Sequence, residues 1–105
     1  MPMILLTVPE DADERKCDFV ETIIRGVLWA EGIDPREVTL WPVKLARVPG
    51  RLLLEFKSRR DYPNPNRLAQ LVAEAAESVF SIQVEAAVMR LDRMTTGLYI
   101  TPKKQ

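Results

Sequence analysis

The chain has 105 residues, 47% hydrophobic and 29% charged, the balance of one globular domain over residues 1–105 with a core large enough to need no staples. Lys+Arg and Asp+Glu stand at 15 each, so there is no global field of the kind that draws nucleic acid or a membrane surface. With Cys17 the only cysteine and no histidine anywhere, internal disulfides and Ser-His-Asp or Cys-His catalysis are excluded, and a metal site has almost no ligands to use. No apolar run approaches ~18 residues and no signal-like segment opens the chain, so a cytoplasmic protein without a membrane partner is expected. Acid–base chemistry falls to carboxylates, Lys, Tyr, Cys17 or a terminal amine.

The opening Met3-Ile4-Leu5-Leu6-Thr7-Val8 is apolar without alternation, the pattern of a strand covered on both faces. Pro2, which cannot donate to a sheet ladder, suits the position just before it. If Met1 is removed, Pro2 becomes a secondary amine at the start of a buried strand, and desolvation lowers the pKa of an amine. The bland reading of the same residue is a strand-starting proline with no chemistry. Asp11 with Glu14 three residues later resembles a capping box. Phe19, Val20, Ile23, Ile24, Val27 and Leu28 then form a helical stripe, closed by Gly32. Asp34-Pro35-Arg36-Glu37 predicts a single helical turn.

Val38-Thr39-Leu40-Trp41 predicts the second strand, running on toward Arg47 as an edge strand or stopping at Pro42. Pro49-Gly50 is a turn signal. Arg51 to Lys57 is the third strand, and Lys57 to Asn66 reads as a polar connector projecting from the fold. Asn64 and Pro65 start the second helix, with the stripe Leu68, Leu71, Val72, Ala75, Ala76 and Val79. Ile82 to Leu91 predicts a fourth strand, and Met94-Thr95-Thr96-Gly97 turns the chain into a short Leu98-Tyr99-Ile100 strand.

The pattern strand-helix-strand thus occurs twice, an α/β (α+β) chain whose two β-α-β units form a four-stranded mixed sheet with both helices on one face. Strands one and three carry apolar residues on both faces, and no element is left to cover the second. A partner subunit is the simplest cover, so a homo-oligomer is expected. The same order of elements also fits a ferredoxin-like fold, in which strand three lies between strands one and two.

Met1-Pro2-Met3-Ile4, the helix after Asp11 and the strand Val38-Thr39-Leu40-Trp41-Pro42 resemble the first half of a member of the tautomerase superfamily. Leu52-Leu53-Leu54-Glu55-Phe56-Lys57, the following helix and Thr95-Thr96-Gly97-Leu98-Tyr99 resemble the second half of its longer members in layout. The resemblance implies a trimer and a small-molecule tautomerase or isomerase without a cofactor, in which the proline is the general base of keto-enol proton transfer. Only Pro2 carries over residue by residue. Smaller members place arginines where this chain has Glu10-Asp11 and Thr39.

Such chemistry needs a cation or donor for the enolate oxygen. Lys44, Arg47 and Arg51 are the candidate cations and Tyr99 the candidate hydroxyl, each with a plainer reading as a rim or packing residue. Glu55, between Leu54 and Phe56, is the carboxylate expected to be partly buried, in an ion pair with an arginine. Trp29 and Trp41 read as core or interface residues, and Cys17 as a packed or semi-exposed thiol. Lys57-Ser58-Arg59-Arg60 is the one basic cluster, but the third strand lacks the aromatic pattern of an RNA-recognition strand, so no nucleic-acid partner is expected. The alternative to an enzyme is a non-catalytic, oligomeric ligand-binding or assembly module.

Overall fold

A computed structural model describes residues 2–45, 50–90 and 94–103. The strands are β1 (Met3–Pro9), β2 (Thr39–Leu45), β3 (Leu52–Ser58), β4 (Val84–Arg90) and β5 (Thr95–Ile100), and the helices α1 (Glu14–Ala30) and α2 (Pro65–Phe80). A short 3-10 turn covers Pro35–Glu37. One sheet holds all the strands in the order β2-β1-β3-β4-β5. β1 runs parallel to β2 and antiparallel to β3, β3 parallel to β4, and β4 antiparallel to β5. Direct pairing of β1 with β2 sets aside the ferredoxin-like alternative, and the sheet has five strands where the sequence predicts four.

The order places β1 between β2 and β3, which sets those two strands two spacings apart, ~10 Å. Residues 46–49 lie outside the described residues. Gly50 has φ 87°, a left-handed conformation that glycine adopts without steric cost.

Alternation along each strand gives the sheet its two faces. Ile4, Leu6 and Val8 of β1, Leu52, Leu54 and Phe56 of β3, and Val84, Ala86 and Val88 of β4 point under the helices, and none exceeds 2% exposure. Full burial of each larger aliphatic or aromatic side chain among them stabilises the fold by about 1.5–3 kcal/mol. α1 contributes Val20, Ile24 and Leu28 to this core. Phe19, expected in the same stripe, is 58% exposed, because it stands a residue step of about 100° round the helix from Val20. α2 buries an alanine-rich face of Leu68, Ala69, Val72, Ala73, Ala75, Ala76 and Phe80, and the small side chains let it lie close to the strands.

The ends of the helices follow local chemistry. Asp13, rather than Asp11, caps α1, its Oδ1 accepting from Lys16 N at 2.8 Å. Ala12 N donates to Pro9 O, so Asp11 is taken up by a turn before the helix begins. Gly32, just past the end of α1, has φ 80°, which suits a left-handed cap. Arg25 in α1 donates to the carbonyls of Pro35 and Val38 and so ties the 3-10 turn to the helix. Asp34 accepts from both the side chain and the backbone N–H of Arg36. The side-chain bond first, and the backbone bond second, hold the Asp34 carboxyl below its usual range.

β5 is fixed by a close backbone approach. A Cβ on Gly97 would lie 2.4 Å from the carbonyl carbon of Pro65, so only glycine lets β5 pass under the first turn of α2. Asn66 Oδ1 then accepts from Leu98 N at 3.1 Å. Beyond β5, buried Thr101 donates its N–H to Val84 O and accepts from Val84 N through Oγ1.

Among the described residues none covers the other face of the sheet. Registers place Trp41, Leu5, Glu55, Ala87 and Leu98 in one row across the strands, and Val43, Thr7 and Leu53 in the next. Trp41 is 57% exposed, Leu98 50% and Val43 42%. Thr7 is compatible with this apolar setting because its hydroxyl accepts from Leu53 N at 2.7 Å and donates to Leu53 O at 3.1 Å.

Candidate active site

Pro2 is buried at the start of β1, and its carbonyl accepts from Thr39 N at 3.1 Å. Having no N–H in the chain, proline leaves no ladder donor unpaired there. β1 and β3 pair Met3 with Lys57, and the register carried one step further sets Pro2 opposite Ser58. Ser58 is 2% exposed. Its Oγ accepts from Arg60 N at 3.1 Å and from the Tyr62 hydroxyl at 3.2 Å. The Tyr62 ring rests edge-on against Phe56, with centroids 5.4 Å apart and planes at 77°.

Tyr62 also borders a cavity of about 140 Å³, lined with Glu31, Ile33, Pro63, Asn64 and Leu68. Glu31 and Ile33, just past the end of α1, form one wall, and the β3–α2 connector and first turns of α2 form the other. Arg67 Nε donates to Glu31 Oε1 at 3.2 Å across its rim. Further pairs ring the same end of the sheet: Lys57 with Glu55 at 3.6 Å, Arg60 with Glu37 at 3.5 Å and Arg90 with Asp61 at 3.5 Å. Exposed pairs of this kind each contribute about 0–1 kcal/mol, so they shape the rim more than they stabilise it.

A second cavity, of about 260 Å³, lies at the opposite end of the sheet between Pro9, Asp11, Ala12, Asp13, Lys16, Phe80 and Ile82. Its walls are the end of α2 and the β1–α1 connector, the same parts as in the first cavity with the two β-α-β units exchanged. Among the described residues no cluster of His, Cys, Asp and Glu could hold a metal ion.

The candidate substrate contacts named from the sequence do not gather round Pro2 within one chain. Lys44 pairs with Val8 and is exposed, ~20 Å along β1 from Pro2. Arg51 stands at that same far end and binds Glu85 at 2.7 Å. Tyr99 faces Ala86 on β5, half-buried against the core. Arg47 lies outside the described residues. Glu55 is half-buried, but its partner is Lys57 of its own strand rather than an arginine. Trp29 is 69% exposed, and neither tryptophan is a core residue within the chain. Cys17 is a half-buried free thiol.

Ser58, Tyr62 and Glu31, by contrast, carry no role in the sequence reading. The stretch 57–66, expected to project, instead turns inward at Ser58 and Tyr62. Ser58 continues the every-second-residue pattern of Leu52, Leu54 and Phe56, the one signal in the sequence that marks it as an inward position.

No protein-family model and no curated protein sequence matches the chain. Solved structures do. A macrophage migration inhibitory factor-like protein from Entamoeba histolytica superposes with a TM-score of 0.70 at 14% identity, covering 86% of this chain and 88% of that one. Native fused 4-OT superposes with a TM-score of 0.72 at 11% identity, covering 85% and 86%. Malonate semialdehyde decarboxylase gives 0.62 at 14% identity over 84% and 83%. All are members of the tautomerase superfamily. The chain has the fold of that superfamily. A fused 4-OT of the same shape is a symmetric trimer. Among the described residues no helix is long and apolar enough to cross a membrane.

Proposed function

We propose that the protein is a small-molecule tautomerase or isomerase in which Pro2, once Met1 has been removed, is the general base. The observation that carries this is the burial of Pro2 at the start of β1, where the strand register sets it opposite Ser58, the acceptor of the Tyr62 hydroxyl. A secondary amine out of water keeps its lone pair available near neutral pH. It takes a proton from the carbon next to a carbonyl, and the electrons of that C–H bond form the new C=C as the carbonyl oxygen gains charge. The protonated amine then returns the proton to that oxygen or to a conjugated carbon. The enolate oxygen needs a donor where charge develops. No cofactor is required.

The uncovered face is the second part of the proposal. An apolar face of this extent is an interface mark, and three copies burying it together form a trimer. Lys44 and Arg51 reach a substrate in this scheme only from a neighbouring subunit. A free thiol at Cys17 fits a reducing, cytoplasmic setting.

The test is deuterium incorporation from D2O next to the carbonyl of enolisable ketones, with intact mass confirming loss of Met1. Pro2→Ala is expected to lower the rate at least about a hundredfold, within the range for a removed general base. An unchanged rate removes proline from the chemistry.

A further inference from the structure

α1 carries a second pattern on the side turned away from the sheet. Arg15, Phe19, Thr22, Gly26 and Trp29 follow one another at intervals of four, three, four and three residues, the spacing of a helix–helix seam. At ~100° per residue they lie opposite the core stripe of Val20, Ile24 and Leu28. All are exposed, Phe19 by 58% and Trp29 by 69%. Between its aromatic ends the seam is small. Thr22 donates its hydroxyl to Asp18 O at 3.0 Å, so its polar atom is satisfied within the helix. A Cβ on Gly26 would meet nothing within 4 Å. No packing among the described residues therefore calls for glycine there, although an interior glycine weakens a helix. Beside Phe19 lies an open groove of about 370 Å³, bordered by Arg15, Lys16, Ser78 and Val79.

We infer that a second copy of this chain docks on this seam, the two α1 helices lying antiparallel about a two-fold axis. The order aromatic, small, small, aromatic reads the same from either end, so the face is self-complementary. Phe19 of each copy lies beside the partner's Trp29, and Thr22 beside the partner's Gly26. The backbones approach most closely at the small residues, and the aromatic rings fill the space where the helices diverge. The partner's Trp29 then reaches the groove beside Phe19, where Arg15 and Lys16 offer cations to the indole face. Charge favours the same arrangement. Arg15 makes no ion pair among the described residues, while the last turn of α1 holds no basic residue and Glu31 caps it. Antiparallel helices set each Arg15 near the C-terminal end of the other, where a cation is stabilised; parallel helices set Arg15 against Arg15. Phe and Trp side chains bury ~150–250 Å² each, so the four partly exposed rings of a pair contribute ~500 Å². With the rest of the seam the area stays below the ~1,200 Å² of standard interfaces, which makes the pair weak, with a dissociation constant on the order of 0.1 mM. The seam faces away from the uncovered side of the sheet and is independent of the reading of Pro2.

The test reads Trp29 directly. Trp41→Phe leaves Trp29 as the only tryptophan, and quenching of its fluorescence by acrylamide is followed in the full-length protein from about 1 µM to about 1 mM, a range that spans a weak interface. Quenching is expected to fall at least about twofold across that range as the indole ring leaves water. In the same protein Gly26→Gln puts a side chain between the two helices and is expected to raise the dissociation constant at least about tenfold. Its urea midpoint should be equal or higher, since glutamine favours a helix more than glycine does. Phe19→Ser is expected to weaken pairing by at least about tenfold through loss of a ring at the contact. Quenching that does not change with concentration overturns the inference, and so does a concentration dependence that Gly26→Gln and Phe19→Ser leave as it was. Assembly through the sheet face alone gives no response to either substitution, so the two interfaces are told apart.

Discussion

At one end of the sheet the residues just past α1 and the β3–α2 connector border a half-open cavity of about 140 Å³; at the other the end of α2 and the β1–α1 connector border one of about 260 Å³. The two β-α-β units build these ends from corresponding parts. What they set at the start of the neighbouring strand differs. β1 is preceded by buried Pro2, whereas β3 is preceded by Arg51, half-exposed and paired with Glu85. A guanidinium stays protonated at any working pH and cannot take a proton. The linings differ as well: the first cavity offers a phenol and an amide, the second Asp11, Asp13 and Lys16. Repetition of the scaffold has therefore duplicated the enclosure and left the proposed chemistry at one end.

Four variants break or sharpen that contrast, in falling order of effect. Trp41→Glu acts on both ends at once if they depend on assembly. A carboxylate introduced on the uncovered face raises the subunit dissociation constant at least about a hundredfold, seen as a shift from trimer to monomer in sedimentation; a trimer that persists shows that this face is not the interface. Gly97→Ala acts on the first end alone, because the new Cβ meets the Pro65 carbonyl. Forcing β5 away from α2 is expected to cost about 1–3 kcal/mol in urea unfolding, and an unaltered midpoint contradicts the close approach. Tyr62→Phe removes the hydroxyl bond to Ser58, with an expected loss of about 0.5–1.5 kcal/mol in the same assay. Since Tyr62 belongs only to the first cavity, resonances of Asp13 and Phe80 around the second should not move.

The smallest effect concerns pH. The folded-state pKa of Asp34 lies below its unfolded value near 3.8. The folded protein therefore gives up the proton more readily, and the stabilisation is complete above that value and fades as pH falls through the lower one. Asp34→Asn should narrow the stability difference between pH 5 and pH 3 slightly, measured by thermal melting; a widened difference contradicts the sign.

Much of the fold is legible in the sequence because it is local. The 3.6-residue stripe around Val20, Ile24 and Leu28, the Asn64-Pro65 start of α2 and the proline-marked edge strand each follow from neighbours along the chain. The fifth strand is different. Leu98-Tyr99-Ile100 reads as a strand, but its place beside β4 depends on Gly97 meeting the backbone of Pro65, a contact that no periodicity shows. At the site, Pro2 is marked by its position before an apolar run. Ser58, Tyr62 and Glu31 are hidden because they sit in polar surroundings in sequence and meet only when β3 and the end of α1 close on one another. Lys44 and Arg51 stand out as cations next to strands, yet the parallel register of β1 with β2 carries Lys44 to the end away from Pro2.

The account depends most on the state of one nitrogen. Two preparations of the same chain, one beginning at Pro2 and one retaining Met1, differ in whether that nitrogen is an amine or an amide and leave every other residue unchanged. Their rates of proton exchange on an enolisable ketone, measured side by side on folded protein, are the most direct test. The account predicts that the Met1-free form is faster by at least about a hundredfold. Equal rates in the two forms would contradict it.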